Sequence, residues 1–292
     1  MGPSATRPLP APPPPNATRV PWGALALAVA LLGCTGGDGG ATHERPASAS
    51  AVPDTLRYTM HTVRRAEGDC RRPDADSAAV PCVAVELTYP LLDSTTATPL
   101  ADSVRAHVRR TAFTQFDDSV AAPDGETAAA AFVAAYRAAH REMPGRQQLW
   151  SRVERVSVAC NGPDVVGLRA EGDQYTGGAH PISFAFLASF DARTAERLRA
   201  STFFLPDSLP AVTAAAERAF RREREIPPAQ SLADAGFIFF EGGRFTLPGE
   251  MLVCPDSVTF HFNPYDVGPY VLGPTTFALP MTEVAGWLRP RR

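Results

Sequence analysis

Two histidines in this chain have carboxylates close by in sequence. His180 closes the run Thr176-Gly177-Gly178-Ala179-His180, with Glu171 and Asp173 just upstream, and His261 stands shortly before Asp266. An imidazole beside a carboxylate is the smallest pair able to do general acid–base work, because the acid orients the ring and stabilises its protonated form. Neither pair has the spacing of a known catalytic motif, and the chain contains no GxSxG, HExxH or Walker loop. An envelope hydrolase using His180 with a nearby carboxylate is therefore the second reading of this chain, not the first.

The same residues suit recognition. Adjacent Gly177 and Gly178 allow positive φ and close backbone approach, so the loop from Tyr175 can present amides and the His180 ring to a ligand. The favoured reading of this loop is nonetheless structural, a sharp corner into the following strand with His180 hydrogen-bonded in place, because one His with no fixed partner is weak evidence of chemistry. Tyr265, Asp266 and Tyr270 lie in a second loop framed by Pro264, Gly268, Pro269 and Gly273. Aromatics on a stiff loop suit sugar or protein recognition, or simply fold onto a sheet.

There are five cysteines. Cys34 follows Leu31-Leu32-Gly33, at the end of an apolar run from Trp22 to Leu32. That run is about half the roughly 20 apolar residues a membrane span needs. With Arg7 and Arg19 ahead of it, it reads as a secretory signal over 1–33. Leu-Leu-Gly-Cys resembles the lipobox of bacterial lipoproteins, which implies cleavage before Cys34, a lipid on its sulfur and anchoring in a bilayer. Thr35, in place of Asp, favours the outer membrane, facing the periplasm, within that signal class. Residues 34–52 are rich in Gly, Ala and Ser and read as a flexible tether. The remaining four, Cys70, Cys82, Cys160 and Cys254, are an even number in an exported chain, which predicts two disulfides. The favoured pairing is Cys70–Cys82, clamping a local loop, with Cys160–Cys254 tying two distant strands; the other two pairings stay open. No CxxC pair occurs, which disfavours a zinc site.

Composition narrows the field further. At 45% hydrophobic and 20% charged, the chain is ordinary globular material. A net charge of −3 gives no basic field, so nucleic acid is not an expected partner. All 28 basic side chains are arginine, which removes Schiff-base and P-loop lysine chemistry. Nothing in the pattern implies a cofactor or a metal.

The elements that must carry these loops are legible from periodicity. Leu56, Tyr58 and Met60 alternate with polar residues, as do Val83, Val85, Leu87 and Tyr89, predicting two paired strands around a charged loop at 66–81. Thr98-Pro99 has the form of an N-cap and first helical residue, followed by Leu100, Val104, Val108, Ala112 and Phe116 at helical spacing. A second helix covers 127–143, with Phe132, Tyr136 and Met143 on one side. From Trp150 the period becomes two. Val156, Val158 and Cys160, a turn at 161–164, then Val166, Leu168 and Ala170 predict a hairpin. Ile182, Phe184, Phe186, Ala188 and Phe190 form the clearest strand, with a short partner near Leu198. Leu209 to Glu225 reads as a helix whose mixed Arg/Glu run is a solvated face. A hairpin is expected from Phe237–Phe240 and Phe245–Leu247, then strands at 258–262 and 277–279, and a short terminal helix through Trp287. Grouped strands and separate helices predict an α+β fold, mostly antiparallel sheet with helices packed on one side, in two subdomains at 53–148 and 149–292.

Two stretches carry a family resemblance. Asp173-Gln174-Tyr175-Thr176-Gly177-Gly178-Ala179-His180 with the Phe-rich strand after it is one. Asn263-Pro264-Tyr265-Asp266-Val267-Gly268-Pro269-Tyr270, then Gly273 and Phe277-Ala278-Leu279-Pro280, is the other. Together they resemble the extracellular domain of RsiV-type anti-sigma factors, which also precedes the catalytic domain of PdaC-type peptidoglycan deacetylases and occurs in lipoproteins of unknown function. The layout of 55–145 is similar to the smaller preceding domain of that family. Pro181 stands where the family usually has Gly. An anti-sigma role is not expected, because the leader is short and read as removed; no deacetylase domain follows the resembling region. The resemblance implies a non-catalytic envelope lipoprotein domain binding a cell-wall ligand, either peptidoglycan or a lysozyme-type protein, through Tyr175, Gly177, Gly178, His180, Tyr265, Asp266 and Tyr270. A structural or assembly lipoprotein is the third reading.

Overall fold

The computed structural model describes residues 55–68, 70, 81–93, 98–114, 121–142 and 149–290. The signal segment, the Cys34 anchor, the tether and Phe116 and Met143 lie outside the described residues.

The first sheet starts with β1 (Tyr58–Gly68), paired antiparallel to β2 (Cys82–Leu92), as the alternation predicts. Then come α1 (Pro99–Ala112) and α2 (Gly125–Glu142). Thr98 is the N-cap of α1: its Oγ1 accepts from Ala101 N at 3.2 Å, and Pro99 occupies the first turn, where its missing N–H costs nothing. Leu100, Val104, Val108 and Ala112 are buried along one stripe. From α2 the chain returns as β3 (Leu149–Asn161), parallel to β2, the one parallel pair in a sheet otherwise antiparallel. A two-helix crossover is the connection a parallel pair requires. β4 (Val165–Tyr175), β5 (Ile182–Asp191) and β6 (Arg197–Leu198) complete the order β1-β2-β3-β4-β5-β6.

After a turn of helix, α3 (Ala200–Phe203), the longer α4 (Leu209–Glu223) precedes a three-stranded antiparallel sheet. Its strands are β7 (Leu252–Val253), β8 (Ser257–Phe262) and β9 (Thr275–Pro280). The terminal helix is one turn, α5 (Met281–Val284), followed by a 3₁₀ turn at Ala285–Trp287.

Two apolar cores form. One lies between α1, α2 and one face of the large sheet, with Val85, Leu87, Val104, Phe132, Val156 and Leu168. The other gathers α4 and the small sheet around Phe220, whose ring meets Phe237, Phe240, Phe245, Phe262 and Phe277. The fold is α+β, as expected. The first core draws on residues from Leu56 to Phe190 and the second on Val165 and residues from Leu198 to Val284.

The hairpin expected at 237–247 is not formed. The chain runs there through turns and a 3₁₀ segment at Glu241–Gly243, with Gly236, Gly242 and Gly243 at positive φ. Phe237, Phe240 and Phe245 are spent on the Phe220 cluster, and burial of three large rings wins over strand pairing. Both favoured cysteine pairs stand at disulfide distance, Cys70 with Cys82 at Cα–Cα 5.3 Å and Cys160 with Cys254 at 5.7 Å. The first closes the loop between β1 and β2; the second pins the end of β3 to the turn between β7 and β8. Two such pairs point to an oxidising compartment outside the cytoplasm. Among the described residues no helix is long and apolar enough to cross a membrane.

Candidate functional site

The two motif loops meet. The His180 ring lies on Tyr270, with centroids 3.6 Å apart and planes inclined by 16°. The Tyr270 hydroxyl donates to Pro181 O at 2.9 Å, and His180 Nδ1 lies 3.0 Å from the same carbonyl. Tyr265 leans on Tyr270, with centroids 5.6 Å apart and planes inclined by 38°. Gly177 and Gly178 both take positive φ, at 95° and 113°, and the Tyr175 hydroxyl donates to Gly178 O across the bend. The glycines therefore serve the conformation the sequence demands of them, and Tyr175 braces it.

Tyr265 is the exception to economy in this loop. Its φ is +72°, a left-handed conformation that costs a non-glycine residue about 1 kcal/mol or more, and its side chain is 56% exposed. Asp266 holds it there: Asp266 Oδ2 accepts from Asn263 N at 2.6 Å, and Asp266 N donates to Asn263 O at 3.1 Å. Asp266 is thus a turn-former. It makes no hydrogen bond to His261, so the His261–Asp266 pair expected as one catalytic candidate is not formed. Nor does His180 hydrogen-bond Glu171 or Asp173. Glu171 takes Arg169 Nε at 2.8 Å, and Asp173 takes the Ser183 hydroxyl.

His261 belongs to a different place. It points from β8 into a cleft of about 490 Å³ between the small sheet and the face of β3–β5 turned away from α1 and α2. Arg155, Arg169, Glu171, Asp173 and Ser183 line the large-sheet wall; His261, Asn263 and Thr276 line the other. The Asn263 amide fixes the ring. Its Oδ1 accepts from Ala185 N at 2.7 Å and its Nδ2 donates to Ala185 O at 3.1 Å, so Oδ1 can take only an N–H from His261 Nε2, at 3.3 Å. Nδ1 is left to accept from the Thr276 hydroxyl at 2.7 Å. Burial holds this imidazole below its ordinary pKa, outweighing the Asn263 contact that favours the charged form. A neutral ring with both nitrogens engaged is a fixed wall, not a free base.

The cleft is not legible in the sequence because its parts come from five strands, β3, β4, β5, β8 and β9, in two sheets. Glu171, Asp173 and His261 are visible in the sequence as chemistry-bearing types. Arg155 and Ser183 carried no signal beyond strand alternation. Among the described residues no group of three His, Cys, Asp or Glu side chains is placed to hold a metal ion.

A two-core α+β domain with stapled cysteines and two converging aromatic loops is the class this geometry defines. Residues 201–282 match the family model described as protein of unknown function (DUF3298). The second motif loop lies inside that match; the first lies ahead of it. The fold is similar to that of a DUF3298 family member from Bacteroides fragilis NCTC 9343, with TM-score 0.60 and 18% identity over 82% of this chain and 96% of that one. It is also similar to a DUF3298 family protein from Pseudomonas aeruginosa PAO1, with TM-score 0.52 and 16% identity over 80% and 95%. The likeness to the DUF3298 fold thus extends well beyond the matched segment, through the large sheet. No curated protein matches the chain.

Proposed function

We propose that this chain is a non-catalytic envelope lipoprotein, anchored through Cys34 in the outer membrane, whose periplasmic domain binds peptidoglycan. One observation carries the reading: an exposed tyrosine held in a costly backbone conformation, Tyr265, beside the His180–Tyr270 stack that joins both motif loops. Strain kept at an exposed aromatic is expected where a surface is used, not where a loop merely closes. Flat rings with polar edges bind sugar faces while the rim supplies hydrogen bonds. The absence of a His–carboxylate hydrogen bond at His180 or between His261 and Asp266 weighs against the hydrolase reading. The His180–Tyr270 stack also gives the structural reading something to stand on, because it ties two loops together.

The test is retention of the immobilised full-length chain on isolated sacculi, with purified lysozyme as a second arm and Tyr265→Ala beside wild type. Saturable binding to sacculi that Tyr265→Ala weakens, with the fold intact, supports the reading. Binding to lysozyme alone transfers the site to a protein partner. Retention of neither ligand removes it.

A further inference from the structure

The cleft beside His261 has a charge pattern the aromatic loops do not share. Arg155 on β3 stands directly opposite Glu171 on β4 in the sheet register, yet the two form no ion pair. Glu171 turns to Arg169 instead, and Arg155 is exposed with no acidic partner among the described residues. The Arg169–Glu171 pair is itself open to water, with side chains 39% and 46% exposed, so its carboxylate is available at small cost. Asp173 adds a second carboxylate, engaged by one hydroxyl from Ser183. The far wall contributes no charge. His261 is held between Thr276 and Asn263, and Asn263 has both amide atoms committed to Ala185.

A free guanidinium on one strand and two carboxylates on the next make a cleft that is dipolar, not simply acidic or basic. Its complement is a ligand carrying both signs close together. Val153, half exposed at the rim, and Ala185 leave room for a short apolar side chain between the charges. A volume of about 490 Å³ is of the size that small-molecule sites use, and it fits a peptide end, not a protein surface.

We propose that this cleft binds the zwitterionic end of a short peptide, the carboxylate on Arg155 and the ammonium on Glu171 and Asp173. Free dipeptides present this chemistry at their two termini; a wall stem peptide, acylated at its N-terminus, presents it only where a diamino acid residue keeps a free amine and carboxylate on one carbon. The inference deepens the wall-binding reading and rests on it only for the source of the peptide.

The test is calorimetric titration of the full-length chain in detergent with D-alanyl-D-alanine, its N-acetyl form, its C-terminal amide, and muropeptides released from sacculi. The uncapped dipeptide is expected to saturate at about 1 mM or below, and either cap to weaken it about tenfold. Arg155→Gln is expected to weaken the uncapped dipeptide by about the same factor and to leave the amide unaffected. Arg57→Gln, an exposed arginine on no wall of the cleft, serves as the control. Muropeptides that bind more tightly than the dipeptide assign the source to the wall; the reverse order assigns it to free peptides. Equal binding of capped and uncapped dipeptide, an unaffected Arg155→Gln, or no saturation overturns the site. Flat dipeptide titrations with normal retention on sacculi would sink the cleft and spare the wall-binding reading. Dipeptide binding without retention on sacculi would do the opposite.

Discussion

Asn263 pairs with Ala185 through both heteroatoms of its amide, as one more strand residue would. β6 covers only Ser189 and Phe190 of β5, so Ala185 would otherwise present an unpaired N–H and C=O at a sheet edge. Asn263→Ala is expected to cost about 1–3 kcal/mol, because Ala185 is buried and its polar groups would be left unsatisfied. Asn263→Asp keeps the acceptor but loses the donor, and should recover only part of that. Urea denaturation of the three proteins decides the point. Equal midpoints for wild type and Asn263→Ala would mean that water replaces the amide without loss.

The two cysteine pairs close loops of different length, 12 residues for Cys70–Cys82 and 94 for Cys160–Cys254. Chain entropy then ranks them, at about 3 kcal/mol for the short loop and about 4–5 kcal/mol for the long one. Paired Cys→Ser variants, compared by thermal unfolding, should follow that order. A larger loss from the short loop would show that strain or residual structure in the unfolded chain outweighs loop length.

Why these features differ in legibility is a matter of range. Thr98-Pro99, the 161–164 turn and the alternation of Ile182 to Phe190 are local signals, and each became the element it announced. The cysteine pairing was legible because an even count in an exported chain leaves few choices. What failed was of two kinds. At Phe237–Leu247 a strand-like composition lost to a distant ring, Phe220. On β3, Arg152 and Glu154 point into the core while Val153 is 52% exposed, an inversion no periodicity rule anticipates. The cleft joins residues from β3, β4, β5, β8 and β9, and only the packing of two sheets brings them together.

His107 gives the fold a pH dependence. It lies in α1, 3% exposed, with its ring edge-on to Phe190, and its pKa is lowered to about 3. Burial is the main cause, helped by the nearby Arg197 and Arg110. The unfolded chain takes a proton near pH 6.5, whereas the folded one resists until about 3. Stability should therefore be unaffected by this group above pH 6.5, fall as pH drops below it, and go on falling toward pH 3. The slope from this group approaches roughly 1.4 kcal/mol per pH unit. Between pH 6 and 5, before most carboxylates titrate, His107→Phe should flatten the dependence. An unchanged slope in that variant would assign it to other groups.

The most deeply buried ion pair among the described residues is that of Arg152 and Glu154, 3% and 1% exposed at 2.7 Å. Arg152 also donates to Ala112 O at 3.1 Å and Thr114 O at 3.0 Å, so it closes the C-terminal end of α1 against β3. Burial raises the Glu154 pKa in spite of Arg152, which means that desolvation outweighs the ion pair for the carboxylate. Such a pair is costly to break and cheap to replace. Arg152→Met leaves a buried acid without its cation and should cost about 3–5 kcal/mol, limited by protonation of Glu154. Arg152→Met with Glu154→Leu removes both charges and should recover much of the loss, less what the freed carbonyls of Ala112 and Thr114 demand. A double-mutant cycle read by urea denaturation measures the coupling. If the two single losses simply add, the pair contributes no mutual stabilisation, and the hold of Arg152 on the end of α1 is the whole of its role.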